Sequence, residues 1–160
     1  DSYSVKRIVV ALDGSELSEE ALPVAAWIAD KTGASLDLIR AVSLTPMAMD
    51  PSLGLYPVDL ISSVEDAAKE YLAQKAHALQ DGGKRTVTAS ILLGSPGEQL
   101  LEYLEKEPPS LVIMATRGHS GLARMALGSV TDQVLHGPSP VLVLRPEEEK
   151  ASRLVAEAKA

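Results

Sequence analysis

The sequence predicts an α/β protein: a five-stranded open parallel sheet with helices on both faces. Short, β-branched apolar runs recur along the chain, and the longer segments between them have helical periodicity. A length of 160 residues fills one domain with a buried core and is too short for two ordinary ones.

The first run is Arg7 to Leu12, RIVVAL, an unbroken apolar strand of the kind buried on both faces. Asp13-Gly14-Ser15 ends it. The segment after Ser15 carries Glu16, Glu19 and Glu20, which favour a helix amino terminus, then Ala21, Leu22, Ala25, Ala26 and Ile28 before Gly33 stops it. Pro23 is expected to kink this helix. Leu36 to Val42 is the second strand. Ser43 to Ile61 follows, with three prolines, Gly54 and little periodicity, a loop longer than a plain crossover needs and of the kind used as a lid, interface or mobile segment. Ser62 and Glu65 have capping-box spacing and open a helix to about Leu79, closed by Gly82-Gly83. Thr86 to Leu93 is the third strand. Ser95 as a cap, Pro96 at the first helical position and Glu98 then start a helix that runs to about Glu107. Pro108-Pro109 breaks it, and Leu111 to Ala115, LVIMA, is a fourth buried strand. Ser129 to His136 is helical, Gly137 to Pro140 is a turn, and Val141 to Leu144 is the fifth strand. Residues 147–160 form a charged, Ala-rich helix or tail, with the Glu147-Glu148-Glu149 run on a solvated face.

Composition narrows the function. Phe is absent and aromatic residues reach only 3%, so aliphatic side chains must fill the core, with Trp27 and Met114 assigned to it. A formal charge of −7 repels a phosphate backbone, which excludes nucleic acid as a partner. Without cysteine there is no disulfide, thiolate zinc site or catalytic thiol. No run is long and apolar enough to cross a membrane and no leader pattern opens the sequence, so it reads as cytoplasmic, with no membrane partner.

In an open parallel sheet a ligand sits beyond the carboxyl ends of the strands, where strand order reverses. Of the loops there, the one after the fourth strand is unusual: Ala115 to Asp132 reads ATRGHSGLARMALGSVTD. Gly118, Gly121 and Gly128 permit close backbone approach, and Gly128 directly precedes Ser129 at a helix start, where free amides and the helix dipole favour an anion. Arg117, His119 and Arg124 add positive or titratable groups on an otherwise acidic chain. Ser129 and Asp132 also have the spacing of a plain capping box that binds nothing. Asp13, at the end of the first strand, can accept from a ribose hydroxyl or an adenine amine, or can simply close an Asp-Gly turn. His77 is placed on a helix surface and His136 near a helix carboxyl end, which leaves only His119 near the loop, as a rim residue.

With these residues in view, the chain resembles the universal stress protein family over roughly Val5 to Pro146. In that family's nucleotide-binding branch the loop reads Gly-x-x-Gly, nine residues, then Gly and Ser or Thr. Here Gly118, nine residues, Gly128 and Ser129 match the latter part, and Ala115 stands in place of the first glycine. The resemblance implies a fold like that of the adenine nucleotide alpha hydrolases, with strand order 3-2-1-4-5, a family domain over 1–146 and a tail over 147–160. It implies that Asp13 and Val42 contact ribose and adenine, that Met114 and Ala115 line the pocket, and that Gly118, Gly128, Ser129 and Val130 hold the phosphates. It also implies a homodimer through Val141 to Leu144, which would cover an exposed apolar edge strand.

The favoured expectation is an ATP-binding regulatory or stress-response switch, with Mg²⁺ or Mn²⁺ carried on the phosphates and no resident metal or catalytic residue. The alternative is a dimeric interaction module of the same fold that binds no nucleotide, for which Ala115 is the argument. An efficient enzyme finds little support, because neither a Gly-x-x-x-x-Gly-Lys-Ser/Thr loop nor a Ser-Gly-Gly-x-Asp-Ser loop is present; at most, ordered water would hydrolyse ATP slowly.

Overall fold

A computed structural model describes residues 3–43, 57–116 and 129–145. Along the chain lie β1 (Arg7–Leu12), α1 (Glu16–Glu19), α2 (Ala21–Thr32), β2 (Ser35–Val42), α3 (Pro57–Gln80), β3 (Val87–Leu93), α4 (Pro96–Lys106), β4 (Leu111–Ala115), α5 (Ser129–Leu135) and β5 (Val141–Leu144). The strands form one parallel sheet in the order β3-β2-β1-β4-β5, as expected.

Because side chains alternate across a strand, β1 feeds two cores. Ile8, Val10 and Leu12 point to the face covered by α2 and α3, where they pack with Ala25, Ala29, Leu72, Ala76, Leu38 and Ile113. Val9 points to the other face and packs with Ile39, Val112, Met114, Leu100, Leu104 and Val134, beneath α4 and α5. Burial on both faces explains why the central strands read as apolar runs. The side chains that fill the space are aliphatic, as the absence of Phe requires.

Four local expectations are corrected. The helix after Ser15 is broken in two: Ser15 caps α1 by accepting from the Ser18 amide at 3.1 Å, the chain turns at Glu20, and α2 restarts at Ala21. Pro23 has no amide to donate to the Glu19 carbonyl and its ring crowds that group, so the kink becomes a break. α3 starts at Pro57 and not at Ser62. Proline suits a first helical turn, and the spacing of Leu60, Ile61, Val64 and Ala68 carries the apolar face upstream of Ser62, which is exposed in the helix interior. Glu65 pairs instead with Lys69 at 2.9 Å, one turn on. Ser95 does head α4, but its hydroxyl makes no capping bond; its carbonyl takes the Gln99 amide at 2.9 Å. Finally, Trp27 is not core: it is 62% exposed. α2 buries Ala21, Leu22, Ala25, Ala26 and Ala29, and at 100° per residue Trp27 falls on the opposite side. Met114 is buried and His77 exposed, both as expected.

Most of the stretch expected as a long loop, and the whole of the 147–160 tail, lie outside the described residues. Among the described residues no helix is long and apolar enough to cross a membrane.

Candidate functional site

The strand order reverses at β1, whose neighbours are β2 and β4, so a crevice opens between the carboxyl ends of β1 and β4. Asp13 is the first residue past β1, Val42 the last of β2, and Met114 and Ala115 the last two of β4. Three adjacent strands therefore bring these four residues to one edge of the sheet. Ser129 and Val130 open α5, and Val130 packs on the same apolar cluster as Met114. Gly118 and Gly128, with Arg117, His119, Gly121 and Arg124, lie outside the described residues.

Each placement has a local cause. Asp13 Oδ1 accepts from the Ser15 amide at 2.8 Å and from the Ser15 hydroxyl, so the carboxylate closes the turn that ends β1. Gly14 takes φ +87, a left-handed conformation that a side chain would strain. Asp13 itself is exposed. Val42 is buried, and its carbonyl accepts from the Gly94 amide at 3.0 Å, which ties the end of β2 to the turn after β3. Ala115 is half-buried and opposite Leu144 on β5.

The structure also shows two residues at this edge that the sequence reading passed over. Thr116 is buried directly past Ala115, and its amide donates to the Leu144 carbonyl at 2.8 Å. A polar residue ending the apolar run of β4 was its signal. Arg40, opposite Leu12 in the sheet, places its guanidinium carbon 4.9 Å from the centre of the Tyr71 ring on α3. Its signal was a charge in the middle of an apolar strand, on the face that Leu36 and Leu38 bury. Tyr71 donates to Glu19 Oε1 at 2.9 Å, and Lys75 Nζ lies 3.1 Å from the same oxygen. Burial, then the bond to Glu19, raises the Tyr71 phenol well above its ordinary value, while the bonds from Lys75 and Tyr71 lower the Glu19 carboxyl. Among the described residues no group of three or more acidic, His or Cys side chains is placed to hold a metal.

A carboxylate, a buried apolar wall and a helix start, gathered where strand order reverses, suit a ligand with polar hydroxyls and an apolar ring. Comparison with known proteins agrees with the architecture. Universal stress protein MJ0531 of Methanocaldococcus jannaschii is 33% identical over 147 residues, spanning 90% of this chain and 85% of that protein. The solved structure of hypothetical protein MJ0577 superposes with a TM-score of 0.74 at 26% identity, over 89% of this chain and 97% of that one. A universal stress protein solved in complex with cAMP has the same fold, with a TM-score of 0.66 at 22% identity over 89% of this chain and 98% of that one. Residues 4–145, from ahead of β1 to the end of β5, match the universal stress protein family as a sequence family, and the chain belongs to it.

Proposed function

We propose that this protein binds an adenine nucleotide, ATP with Mg²⁺ or Mn²⁺ carried on its phosphates, and acts as a nucleotide-dependent stress-response switch, hydrolysing at most slowly. The observation that carries this reading is the convergence of Asp13, Val42, Met114 and Ala115 on one edge of the sheet at the point of strand reversal. Asp13 supplies a carboxylate for ribose hydroxyls or the adenine amine, and the buried side chains of Val42 and Met114 supply an apolar wall for the base. Gly118, Gly128, Ser129 and Val130 hold the phosphates by backbone amides, the Ser129 hydroxyl and the start of α5. A cAMP complex of the same fold supports the reading at the level of the fold.

Titration of the nucleotide-free protein with ATP and Mg²⁺ by calorimetry tests it. Saturable binding is expected, with Gly128→Val abolishing it because a branched side chain closes the backbone approach that phosphate needs. Ala115 favours the second reading, a homodimer through Val141 to Leu144 that works through its surface and binds no nucleotide. All four residues of β5 are only half-buried at the sheet edge, which suits pairing with a second copy. Absence of binding, together with a dimer in sedimentation, selects that reading.

A further inference from the structure

Arg40 does not end in solvent. An ideal Cβ built on Gly14 would lie 2.8 Å from Arg40 Nη2 and 2.9 Å from Cζ, so the guanidinium is pressed against the backbone of the turn that Asp13 closes. The guanidinium carbon also lies over the Tyr71 ring, 4.9 Å from the centroid, a separation at which cation and ring attract. The same ring reaches the far end of the turn: its hydroxyl holds Glu19 in α1, and Lys75, one turn further along α3, sits 5.6 Å from the ring and bonds Glu19 as well. The segment from Gly14 to Glu19 is thus fastened at both ends to a single side chain of α3, with Arg40 as the wedge. Arg40 and Asp13 also act on the Tyr71 hydroxyl through space in opposite senses, which places both charges near one ring.

We infer that Arg40, clamped between Gly14 and Tyr71, is a positioning residue that orients the Asp13 turn and couples the ligand crevice to α3. The coupling to ligand rests on the nucleotide reading above; the bracing of the turn does not. A guanidinium suits the task because it is planar and can present one face to an aromatic ring and the other to backbone, whereas an ammonium is a compact point charge.

The test uses Arg40→Met, which keeps an unbranched stem without the cation, and Arg40→Lys, which keeps the charge without the plane. In the ligand-free protein the Ser15 amide, which donates to Asp13 Oδ1, is expected to exchange its hydrogen roughly three- to thirtyfold faster in Arg40→Met, the range that loss of one cation–π contact spans. Arg40→Lys recovers part of that protection. The Gly94 amide, bonded to Val42, keeps its wild-type rate. Tyr71→Leu removes the platform and reproduces the Arg40→Met result, which guards against a variant that fails to fold. Adenosine and ATP are both expected to bind more weakly in Arg40→Met by the same factor, because the defect lies in the turn. Wild-type exchange at Ser15 in both Arg40→Met and Tyr71→Leu overturns the inference. Weaker ATP binding with adenosine unaffected also overturns it, since Arg40 would then be a phosphate contact. If wild type binds neither ligand, the nucleotide reading falls, and the Ser15 exchange rate alone decides whether Arg40 braces the turn.

Discussion

Asp37 is a charged residue inside a strand, 4% exposed, and every bond it makes can be traced. Arg7 Nη2 donates to Oδ2 at 2.8 Å, the Tyr103 hydroxyl donates to the same oxygen, and Thr88 Oγ1 donates to Oδ1 at 3.0 Å. Burial works against the Arg7 charge, and its bonds to Asp37 and Tyr103 outweigh that cost, so the guanidinium is held above its ordinary value. Three strands and α4 meet at this carboxylate, which lies opposite Val9 on β1 and Thr88 on β3, toward the amino-terminal end of the strands. Asp37→Ala leaves a cation and a phenol without their acceptor, and is expected to cost about 2–4 kcal/mol in urea unfolding. Asp37→Asn, which keeps an acceptor oxygen, should lose less. Such residues were not legible in the sequence, because periodicity reports which face a residue occupies and not which distant polar groups share it. Arg40 and Thr116 escaped for the same reason. Asp13 was legible, since a carboxylate between an apolar run and a glycine has few other uses than a turn or a ligand, and here the turn is plain.

At the level of elements, the seat of α5 matters because Ser129 and Val130 begin that helix. Gly97, buried in the first turn of α4, would place a Cβ 1.4 Å from Gln133 Oε1 on α5. The absent side chain leaves room for the end of the Gln133 side chain against α4. Gly97→Leu puts a bulky side chain at a buried position and must displace Gln133, and is expected to destabilise the protein by about 1–3 kcal/mol, measured by thermal or urea unfolding. Adding Gln133→Ala should recover a good part of that loss, as it removes the group that meets the new side chain; no recovery would place the clash elsewhere. Strands were the most legible elements, each apolar run being bounded by glycine, proline or an abrupt polar change. Helix starts were less so. Ser62 and Ser95 both looked like caps, yet α3 begins five residues before Ser62 and the Ser95 hydroxyl makes no bond, because a capping box is a local option that tertiary packing overrides. Trp27 was misplaced for a different reason: composition suggested that the one tryptophan would be buried, while α2 had already covered its inward face with alanines and Leu22.

For the molecule as a whole, two tyrosines on opposite faces of the sheet couple its stability to alkaline pH. Tyr71 packs on one core and Tyr103 on the other. Burial first, then bonds to Glu19 and Asp37, raises both phenols above the ordinary 10.0. A raised value in the folded state means that the folded protein holds these protons more tightly than the unfolded chain does. Their stabilising contribution is complete below the unfolded value and is lost as pH rises through the folded ones. Unfolding free energy is therefore expected to fall as pH rises above about 10, less steeply in Tyr71→Phe or Tyr103→Phe, and an unchanged slope in both variants would assign the alkaline loss to other groups. Strand order was legible only through the family resemblance, since an alternation of strands and helices leaves the arrangement of a parallel sheet open.

That order has a consequence in time. β1 is made before every other strand of the sheet, yet one of its two neighbours, β4, begins at Leu111, which sits beside Ile8. At translation rates of about 5–20 residues per second, roughly 5–20 s separate the synthesis of the two walls of the crevice. In that interval β1 has β2 and β3 beside it on one side and a bare edge on the other, along which any extended segment can pair. The nascent protein thus completes this crevice late, and a chaperone holding that bare edge would be guarding the place where strand order reverses in the finished sheet.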